Sequence, residues 1–476
     1  MPVASIPRTP FLRRFHWGAL VLWVALATTF AAIKLLEHYS FRTNDFDTGI
    51  YSNLAWNIAH GKGFYSSVLN KNHLGEHFSP IMVFLAPFMW AYPSANVLMI
   101  AQALAVAAAF PLLYWACREI FKDMAEPKRT WLSAGMVFLA LLYRPLLSGL
   151  WFQFHPSTLG MPLVALAILC LHRRKDLALW IAVASLLLTK EVAIGAVLGL
   201  AIYAWVVLDR RKLGVLLGAT AVVAAAAVFL FIMPAFQDST WRHYSRLAPP
   251  ALPWLKAQYL FLLAAGLGFL PLVGWRALLA ALPLTLVNLS VGDALQLSLN
   301  HQYDDQNCVF WIIAAAHGAR RAALMLEARA AAAKVKAAIA AAVLALAVVF
   351  AGRIPFVELC ESWPDANTRE VRRRLEKYAR LPPDVPVAAH SGLGPRLCNR
   401  YNYVSLRAAN FPPRFAPGQV VVLSEVMSFY DINYDAMRAF LRSPGNAETL
   451  EADGFLEVYR WTGKAGRAAS HDADSR

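Results

Sequence analysis

Long apolar runs separated by short polar connections fill the chain up to about residue 352. The first run, 17–36, is long enough to cross a hydrocarbon core of about 30 Å as a helix. Its exit, Lys34 to His38, lacks the small-x-small pattern at which signal peptides are cleaved. The sequence therefore predicts a retained transmembrane helix.

Further spans are predicted at about 94–117, 131–148, 157–171, 177–189, 192–208, 213–233, 256–273, 277–290, 308–319 and 337–352. With the first, they make about eleven transmembrane helices. The short runs near 177–208 and 308–319 are expected to be tilted, broken or merged helices, which changes that number by about one or two.

After Arg353 the pattern changes from long apolar runs to short ones. Strand-like runs occur at 385–389, 419–423 and 455–461, and a helix-like stretch lies near 431–443. These elements predict a small α/β domain over 353–462, followed by a disordered tail at 463–476. The predicted fold class is an all-α polytopic membrane protein, 17–352, with a small C-terminal α/β soluble domain.

The composition agrees with a membrane protein, because only 16% of the residues are charged and a soluble globule usually carries about 25%. The net charge of +15 would suit a nucleic-acid partner, but the Lys and Arg residues cluster between the apolar runs. That placement indicates membrane topology, so we expect membrane lipids and no nucleic acid as partners.

Every second connection between predicted spans is basic, as short cytoplasmic loops are. The N-terminus, 1–16, therefore belongs on the cytoplasmic side, and the first outer loop, 37–80, and the C-terminal domain belong on the opposite face. The basic groups are Arg118, Lys122, Lys128 and Arg129; Arg173, Arg174 and Lys175; Arg210, Arg211 and Lys212; Arg276; and Arg320, Arg321, Arg329, Lys334 and Lys336.

The first outer loop is rich in polar and aromatic residues. Its segment 48–59 has helical spacing and fits a juxtamembrane helix lying on the bilayer, with Asp47 at or just before the N-terminus. Asp47 is then either a helix N-cap or a carboxylate poised as a general base at the water–membrane boundary. Position alone leaves both readings open.

His73, Glu76 and His77 match the H-x-x-E-H order of inverted zinc proteases. Gly75 and Pro80 argue against the long helix which that site needs, and no third-ligand motif follows. Three readings stay open: a protease site, a looser contact to a divalent metal through His73 and His77 or to a phosphate, and a polar loop held by hydrogen bonds.

Other polar groups are expected on the same face. His155 lies in the second outer loop beside Arg144, and the Lys190-Glu191 doublet joins two short apolar runs. Ionisable residues at membrane depth are costly, so the doublet is a candidate site, although the two charges could instead snorkel to the surface. A fourth outer cluster lies at 301–305.

Two of the five cysteines, Cys360 and Cys398, fall in the C-terminal domain. In an oxidising compartment they are predicted to form a disulfide, and the alternative is two unpaired, buried cysteines.

Five motifs occur in order along the chain: F-D-T-G-I-Y at 46–51, W-N-I-A-H-G-K-G-F-Y at 56–65, N-H-L-G-E-H-F-S-P at 72–80, F-H-P at 154–156 and T-K-E at 189–191. Together they resemble DUF2079, a family of predicted membrane proteins, over most of the chain to about residue 460.

That family is in turn similar to the GT-C superfamily of membrane glycosyltransferases, which includes protein mannosyltransferases and the lipid A aminoarabinose transferase. Asp47, Tyr51 and the stretch 61–64 match the superfamily's acidic first-loop motif, and T-K-E resembles its Lys-containing outer turn. The sequence departs from the motif where Thr48 replaces the usual second acid, and Asp45 lies two residues earlier.

The resemblance implies a bacterial inner-membrane enzyme that transfers a sugar from a polyprenyl-phosphate donor to an unknown envelope acceptor in the periplasm. Asp47 would be the catalytic base. The substrate-binding residues would be Tyr51, His73, Glu76, His77, Arg144, His155, Lys190 and Glu191, with a divalent metal ion as a candidate cofactor. The alternative function is a transporter or lipid flippase, with Lys190, Glu191 and His155 along its pathway.

Overall fold

The structure is a computed structural model that describes residues 10–236, 253–290, 294–330, 332–407, 411–427 and 432–463. The predicted tail, apart from Gly463, and the first nine residues of the predicted cytoplasmic N-terminus lie outside these residues. The chain forms two compact units, which we describe separately. The helical unit contains 10–34, 74–81 and 100–361, and the mixed unit contains 35–73, 82–99 and 362–463.

Helices make up most of the described chain. They are α1 (Pro10–Tyr39), α2 (Ile50–Ala59), α3 (Ala86–Ala91), α4 (Asn96–Ile120), α5 (Glu126–Leu142), α6 (Arg144–Trp151), α7 (Gly160–Arg173), α8 (Asp176–Leu187), α9 (Ala193–Val206), α10 (Arg211–Ala226), α11 (Pro253–Ala265), α12 (Leu270–Val273), α13 (Trp275–Leu278), α14 (Leu282–Ser290), α15 (Asn307–Ala328), α16 (Ala333–Val349), α17 (Pro355–Glu361), α18 (Ala366–Ala379), α19 (Gly394–Leu397) and α20 (Tyr434–Arg442).

The strands are fewer and shorter. They are β1 (Tyr65–Ser66), β2 (Lys71–Asn72), β3 (Val387–His390), β4 (Tyr403–Leu406), β5 (Val420–Leu423), β6 (Ala447–Ala452) and β7 (Glu457–Trp461).

Among the described residues, five helical stretches are long and apolar enough to cross a membrane: Trp17–Tyr39, Asn96–Ile120, Pro156–Arg173, Arg211–Phe236 and Asn307–Ala328. Three shorter apolar helices lie at Asp176–Leu187, Ala193–Val206 and Trp275–Ser290. Several of the predicted runs are interrupted, and the number of about eleven transmembrane helices stays a prediction.

Two interruptions can be traced to particular residues. The predicted span 131–148 ends at Tyr143, which pairs with Ala351 in an isolated β-bridge, and α6 begins with Arg144 and Pro145. A proline fits the first turn of a helix, where its missing N–H is not needed. The predicted span 256–273 is broken where Gly268 and Phe269 adopt positive φ angles of 59° and 57°, outside the helical region.

The connections within the helical unit form two sets. The basic connections contact one another through Arg173–Glu119 (2.8 Å), Arg210–Asp176 (2.7 Å), Arg320–Asp123 (2.6 Å) and Lys128–Glu327. The polar connections contact one another through His77–Glu191, Arg144–Asn300 and Gln302–His155. This grouping is the one that the alternation of basic loops predicts for two opposite membrane faces.

The mixed unit contains a five-stranded sheet in the order β4-β3-β5-β7-β6. Strand β3 is parallel to both β4 and β5, and β7 is antiparallel to β5 and β6. The predicted strand-like runs fall on β3, β5 and β7, and the predicted helix falls on α20. Alternation of side chains along the strands supplies apolar residues to both faces of the sheet.

Helices cover both faces. Val387 and Ala389 of β3 pack in a core with Val371 and Leu375 of α18. Ala388, which points to the other face, packs in a second core with residues of α20. The C-terminal part of the mixed unit is therefore an α/β/α arrangement.

The predicted first outer loop contributes α2 to this unit, and residues 50–57 of α2 are all buried. Ser52 Oγ donates to Asn399 Oδ1 (2.9 Å), and Asn53 Nδ2 donates to the carbonyl oxygens of Cys398 (2.6 Å) and Arg400 (3.2 Å). The prediction that this helix lies on the bilayer surface is wrong, because the helix is buried and its polar side chains bind the C-terminal segment.

The predicted disulfide is also absent, because all five cysteines of the chain are free thiols. Cys398 is buried in the core of the mixed unit, with its thiol 3.5 Å from the carbonyl oxygen of Gly49, whereas Cys360 is exposed on α17. The alternative of two unpaired cysteines fits better, although only Cys398 is buried.

Candidate functional site

A single π-helical turn, Asp45–Gly49, carries Asp47 and leads directly into α2. The side chain of Asn44 caps this turn by accepting a hydrogen bond from the Asp47 N–H (3.0 Å). Asp47 itself is half-buried, and the neighbouring Phe46 is exposed. The prediction of Asp47 as the N-cap is therefore wrong, because the side chain of Asn44 caps this turn.

Asp45 lies on the buried side of the same turn, at the carboxyl ends of β3 and β4. Its N–H donates to the carbonyl oxygen of Ser391 (3.1 Å), and Tyr403 Oη donates to its Oδ2 (2.8 Å). The Arg407 guanidinium lies 3.7 Å from its Oδ1. Burial raises the pKa of the Asp45 carboxyl, and Ser405, Arg407 and Tyr403 oppose that rise.

The approach of this turn to the C-terminal segment depends on a glycine. A Cβ placed on Gly394 would overlap the Asp45 side chain and would lie 2.6 Å from Tyr403 Oη. Glycine is the residue that permits so close an approach.

Tyr51 and His73 lie together in the mixed unit. Both are buried, and their rings meet edge to face with 5.2 Å between the centroids. His73 begins a short 3₁₀ turn, His73–Gly75, which is followed by irregular chain. The H-x-x-E-H sequence therefore does not lie on an α-helix, which contradicts the inverted zinc protease reading.

In the helical unit, the predicted site residues His77 and Glu191 lie within hydrogen-bond distance, with His77 Nδ1 2.8 Å from Glu191 Oε1. The other carboxylate oxygen of Glu191 accepts from the Phe78 N–H (2.9 Å). Burial acts to raise the pKa of the Glu191 carboxyl, but the charges of His77 and Lys190 outweigh it and lower the pKa to about 2. Glu191 is consequently ionised.

Lys190 lies beside Glu191 in the turn between α8 and α9 and is half-buried. Its charge acts on two carboxylates, those of Glu191 and Asp305. Asp305 is buried and accepts from Thr158 Oγ1 (3.1 Å) and from the Gln306 N–H (2.7 Å). The turn thus places the Lys190 ammonium near the ionised Glu191 and near Asp305, whose carboxyl pKa is raised by burial.

His155 and Arg144 have amide partners. Gln302 Nε2 lies 3.1 Å from His155 Nε2, and His155 Nδ1 lies 3.2 Å from the Gln153 carbonyl oxygen. Arg144 Nε donates to Asn300 Oδ1 (3.2 Å). Burial lowers the pKa of the Arg144 guanidinium, which still remains protonated at neutral pH.

The predicted site residues therefore fall into two groups. Asp47, Tyr51 and His73 belong to the mixed unit, and the helical unit contains Glu76, His77, Arg144, His155, Lys190 and Glu191.

The predicted metal ligands His73 and His77 do not belong to a metal-binding group. The residues that the structure describes include no group of three or more His, Cys, Asp or Glu side chains suited to a metal ion. His77 Nδ1 is engaged by Glu191 instead. The donor set therefore does not fit a divalent ion held by His73 and His77.

The sequence placed Asp305 in the fourth outer cluster at 301–305 without assigning it a role, and it did not indicate Tyr403, Arg407 or Gln302 as site residues. Arg407 directly follows a parallel strand, where ligand-contacting residues concentrate in α/β folds. The partnership of Tyr403 with Asp45, 358 residues earlier, has no local signal.

The family model for DUF2079, described as a predicted membrane protein, matches residues 37–412. The chain belongs to the DUF2079 family. This result confirms the resemblance that the five motifs indicated. No curated protein matches the chain.

Two solved structures share its fold. The crystal structure of ArnT from Cupriavidus metallidurans bound to undecaprenyl phosphate is 15% identical, with a TM-score of 0.56 over 93% of this chain and 98% of that one. The apo structure of the same ArnT is 14% identical, with a TM-score of 0.56 over 94% and 98%. The DUF2079 chain is thus a multi-pass membrane protein with a GT-C-like fold.

Proposed function

We propose that the protein is a membrane glycosyltransferase of the GT-C type, which transfers a sugar from a polyprenyl-phosphate donor to an envelope acceptor. The observation that carries the proposal is the position of Asp47. It lies half-buried on a turn four residues before Tyr51, in a chain with the fold of ArnT, and Asn44 rather than Asp47 caps that turn. The ArnT structure bound to undecaprenyl phosphate supports a polyprenyl-linked donor.

In the proposed reaction, Asp47 takes the proton of an acceptor hydroxyl, and the acceptor oxygen bonds to the anomeric carbon of the sugar. The bond between that carbon and the phosphate oxygen breaks, and its electron pair leaves with the polyprenyl phosphate. General-base assistance of this kind contributes about 10²- to 10⁴-fold to a rate.

The charge that develops on the leaving phosphate needs a cation. Lys190 and Arg144 are the proposed donors, because the ammonium of Lys190 is half-buried and Arg144 has the neutral Asn300 amide as a hydrogen-bond partner. Positive groups held in a partly dry environment stabilise such charge more strongly than they would in water. Glu191 and His77 would hold the turn that carries Lys190.

We propose that this chemistry takes place on the periplasmic side of the bacterial inner membrane, with the N-terminus in the cytoplasm. The contacts among basic connections on one side of the helical unit, and among polar connections on the other, support that orientation.

The test compares envelope lipids and glycans by mass spectrometry in parent cells, cells lacking the gene, and cells that produce the Asp47→Asn variant. We expect the gene deletion to remove a glycosylated product and Asp47→Asn to reproduce that loss at normal expression and membrane insertion. Asp384→Asn, the same change at an exposed turn, is the matched control and should retain the product. A parent-like profile in the Asp47→Asn cells would refute the catalytic assignment and favour the transporter or flippase alternative.

A further inference from the structure

Asp45 and Asp47 are two acids on one helical turn with different surroundings. Side chains two residues apart on a helix point to roughly opposite sides, and burial follows that geometry: Asp45 is fully buried, whereas Asp47 is half-buried. One acid is therefore partly exposed to solvent while the other is held inside the mixed unit.

The inner acid is held by both its backbone and its side chain. The Asp45 N–H binds the carbonyl oxygen that follows β3, and the carboxylate accepts from Tyr403 Oη and faces Arg407, which follows β4. In parallel α/β sheets, ligands bind at the carboxyl ends of the strands. In this protein the Asp45 side chain occupies that position.

Burying a carboxylate is a costly way to fill space, since an apolar side chain would not have to give up hydration. A carboxylate makes directional contacts that an apolar side chain cannot make. Its hydrogen bond to Tyr403 and its ion pair with Arg407 fix the orientation of Asp45 as well as its distance from the sheet. The main chain transmits that constraint: Gly49 N–H bonds to Asn44 O (3.1 Å) and Asp47 N–H bonds to Asn44 Oδ1.

We propose that Asp45 is a positioning residue that fixes the Asp47-bearing turn to the carboxyl ends of β3 and β4 and so sets the location of the Asp47 carboxylate. The inference rests on the function proposed for Asp47. It gives the C-terminal sheet a role in the reaction that is separate from binding an acceptor.

Three variants separate positioning from a chemical role. Asp45→Ala removes every side-chain contact and should lower the rate of product formation by about 10- to 100-fold, as displacement of a catalytic group by about 1 Å does. Asp45→Asn keeps an oxygen that can accept a hydrogen bond from Tyr403, so its rate of product formation should lie within about fivefold of the wild-type rate. Tyr403→Phe removes the hydroxyl that donates to Asp45 and should lower the rate of product formation by about three- to tenfold.

Ser52→Ala is the matched control, because it removes another hydrogen bond between the same two parts of the mixed unit without touching the turn. Its rate should stay within about twofold of the wild type. The product whose formation is measured is the one missing from cells that lack the gene.

Hydrogen exchange of the purified full chain gives a second readout that does not require activity. The amides of 45–49 should exchange faster in Asp45→Ala and Tyr403→Phe, while those of β3 and β5 remain as protected as in the wild type. Should Asp45→Ala loosen the whole sheet, Tyr403→Phe carries the test.

A wild-type rate in Asp45→Ala, equal losses in Asp45→Asn and Asp45→Ala, or a loss of rate with unchanged exchange at 45–49 would each overturn the proposal. The proposed function fails separately, if Asp47→Asn cells keep the product. In that event the exchange measurement alone decides whether Asp45 holds the turn.

Discussion

Glu191 is a buried carboxylate whose partner His77 lies 114 residues earlier in the chain. Removing His77 leaves the buried carboxylate with one hydrogen-bond partner fewer, and an unsatisfied buried charge usually costs more than the net contribution of the contact. The effect is moderated here because the His77 side chain is 22% exposed.

We expect Glu191→Gln and His77→Gln each to lower the stability of the protein in detergent by about 1–3 kcal/mol. Because both variants break the same contact, the double variant should lose much less stability than the sum of the two single losses. Thermal unfolding of the purified variants measures these costs. Additive losses would show that the two side chains do not interact.

At the scale of elements, the π-turn at 45–49, α19 and β4 meet where no extra atom fits. Gly394 of α19 faces Asp45 and the hydroxyl of Tyr403. An added methyl group must displace the turn, the tyrosine or α19 itself.

Gly394→Ala is therefore expected to destabilise the mixed unit by about 1–3 kcal/mol and to increase exchange at 45–49. Gly135→Ala provides the control, since a Cβ at that position in α5 would meet nothing within 4 Å. It should be neutral or slightly stabilising, because alanine is the better helix former. Protection at 45–49 that is unchanged in Gly394→Ala would contradict the close packing.

At the scale of the whole molecule, the orientation in the membrane can be tested with the protein's own cysteines. Of the five thiols, only that of Cys360 is exposed. A membrane-impermeant maleimide should label Cys360 in right-side-out spheroplasts and should leave it unlabelled in inverted vesicles.

The control is Lys175→Cys in a Cys360→Ser background, because Lys175 is exposed in a connection predicted to be cytoplasmic. It should show the opposite pattern, with labelling only in inverted vesicles. Labelling of Cys360 from the cytoplasmic side alone would reverse the proposed orientation.

Some features of the fold followed from local sequence. The apolar runs located the main helices, and the alternation of basic connections predicted which connections contact each other. The short runs near 385–389, 419–423 and 455–461 predicted strands β3, β5 and β7. These predictions work because helical hydrophobicity and strand periodicity act over neighbouring residues.

Other features depended on contacts between distant residues. The apolar pattern of 131–148 suits a span, yet the helix ends at Tyr143, which pairs with Ala351. Segment 48–59 looks amphipathic enough for a bilayer surface, yet it is buried among residues more than 300 positions away. Burial of this kind depends on the partner as well as on the segment itself.

The sequence by itself determined the membrane class, the family motifs and the presence of Asp47, Lys190 and Glu191, since composition, spacing and residue identity carry that information. Only the tertiary structure decided the roles within the first loop: Asn44 caps the turn, Asp45 is held by Tyr403 and Arg407, and Asp47 remains half-exposed. The physical reason is that neighbouring carboxylates differ only in what surrounds them, and folding brings those surroundings from distant parts of the chain.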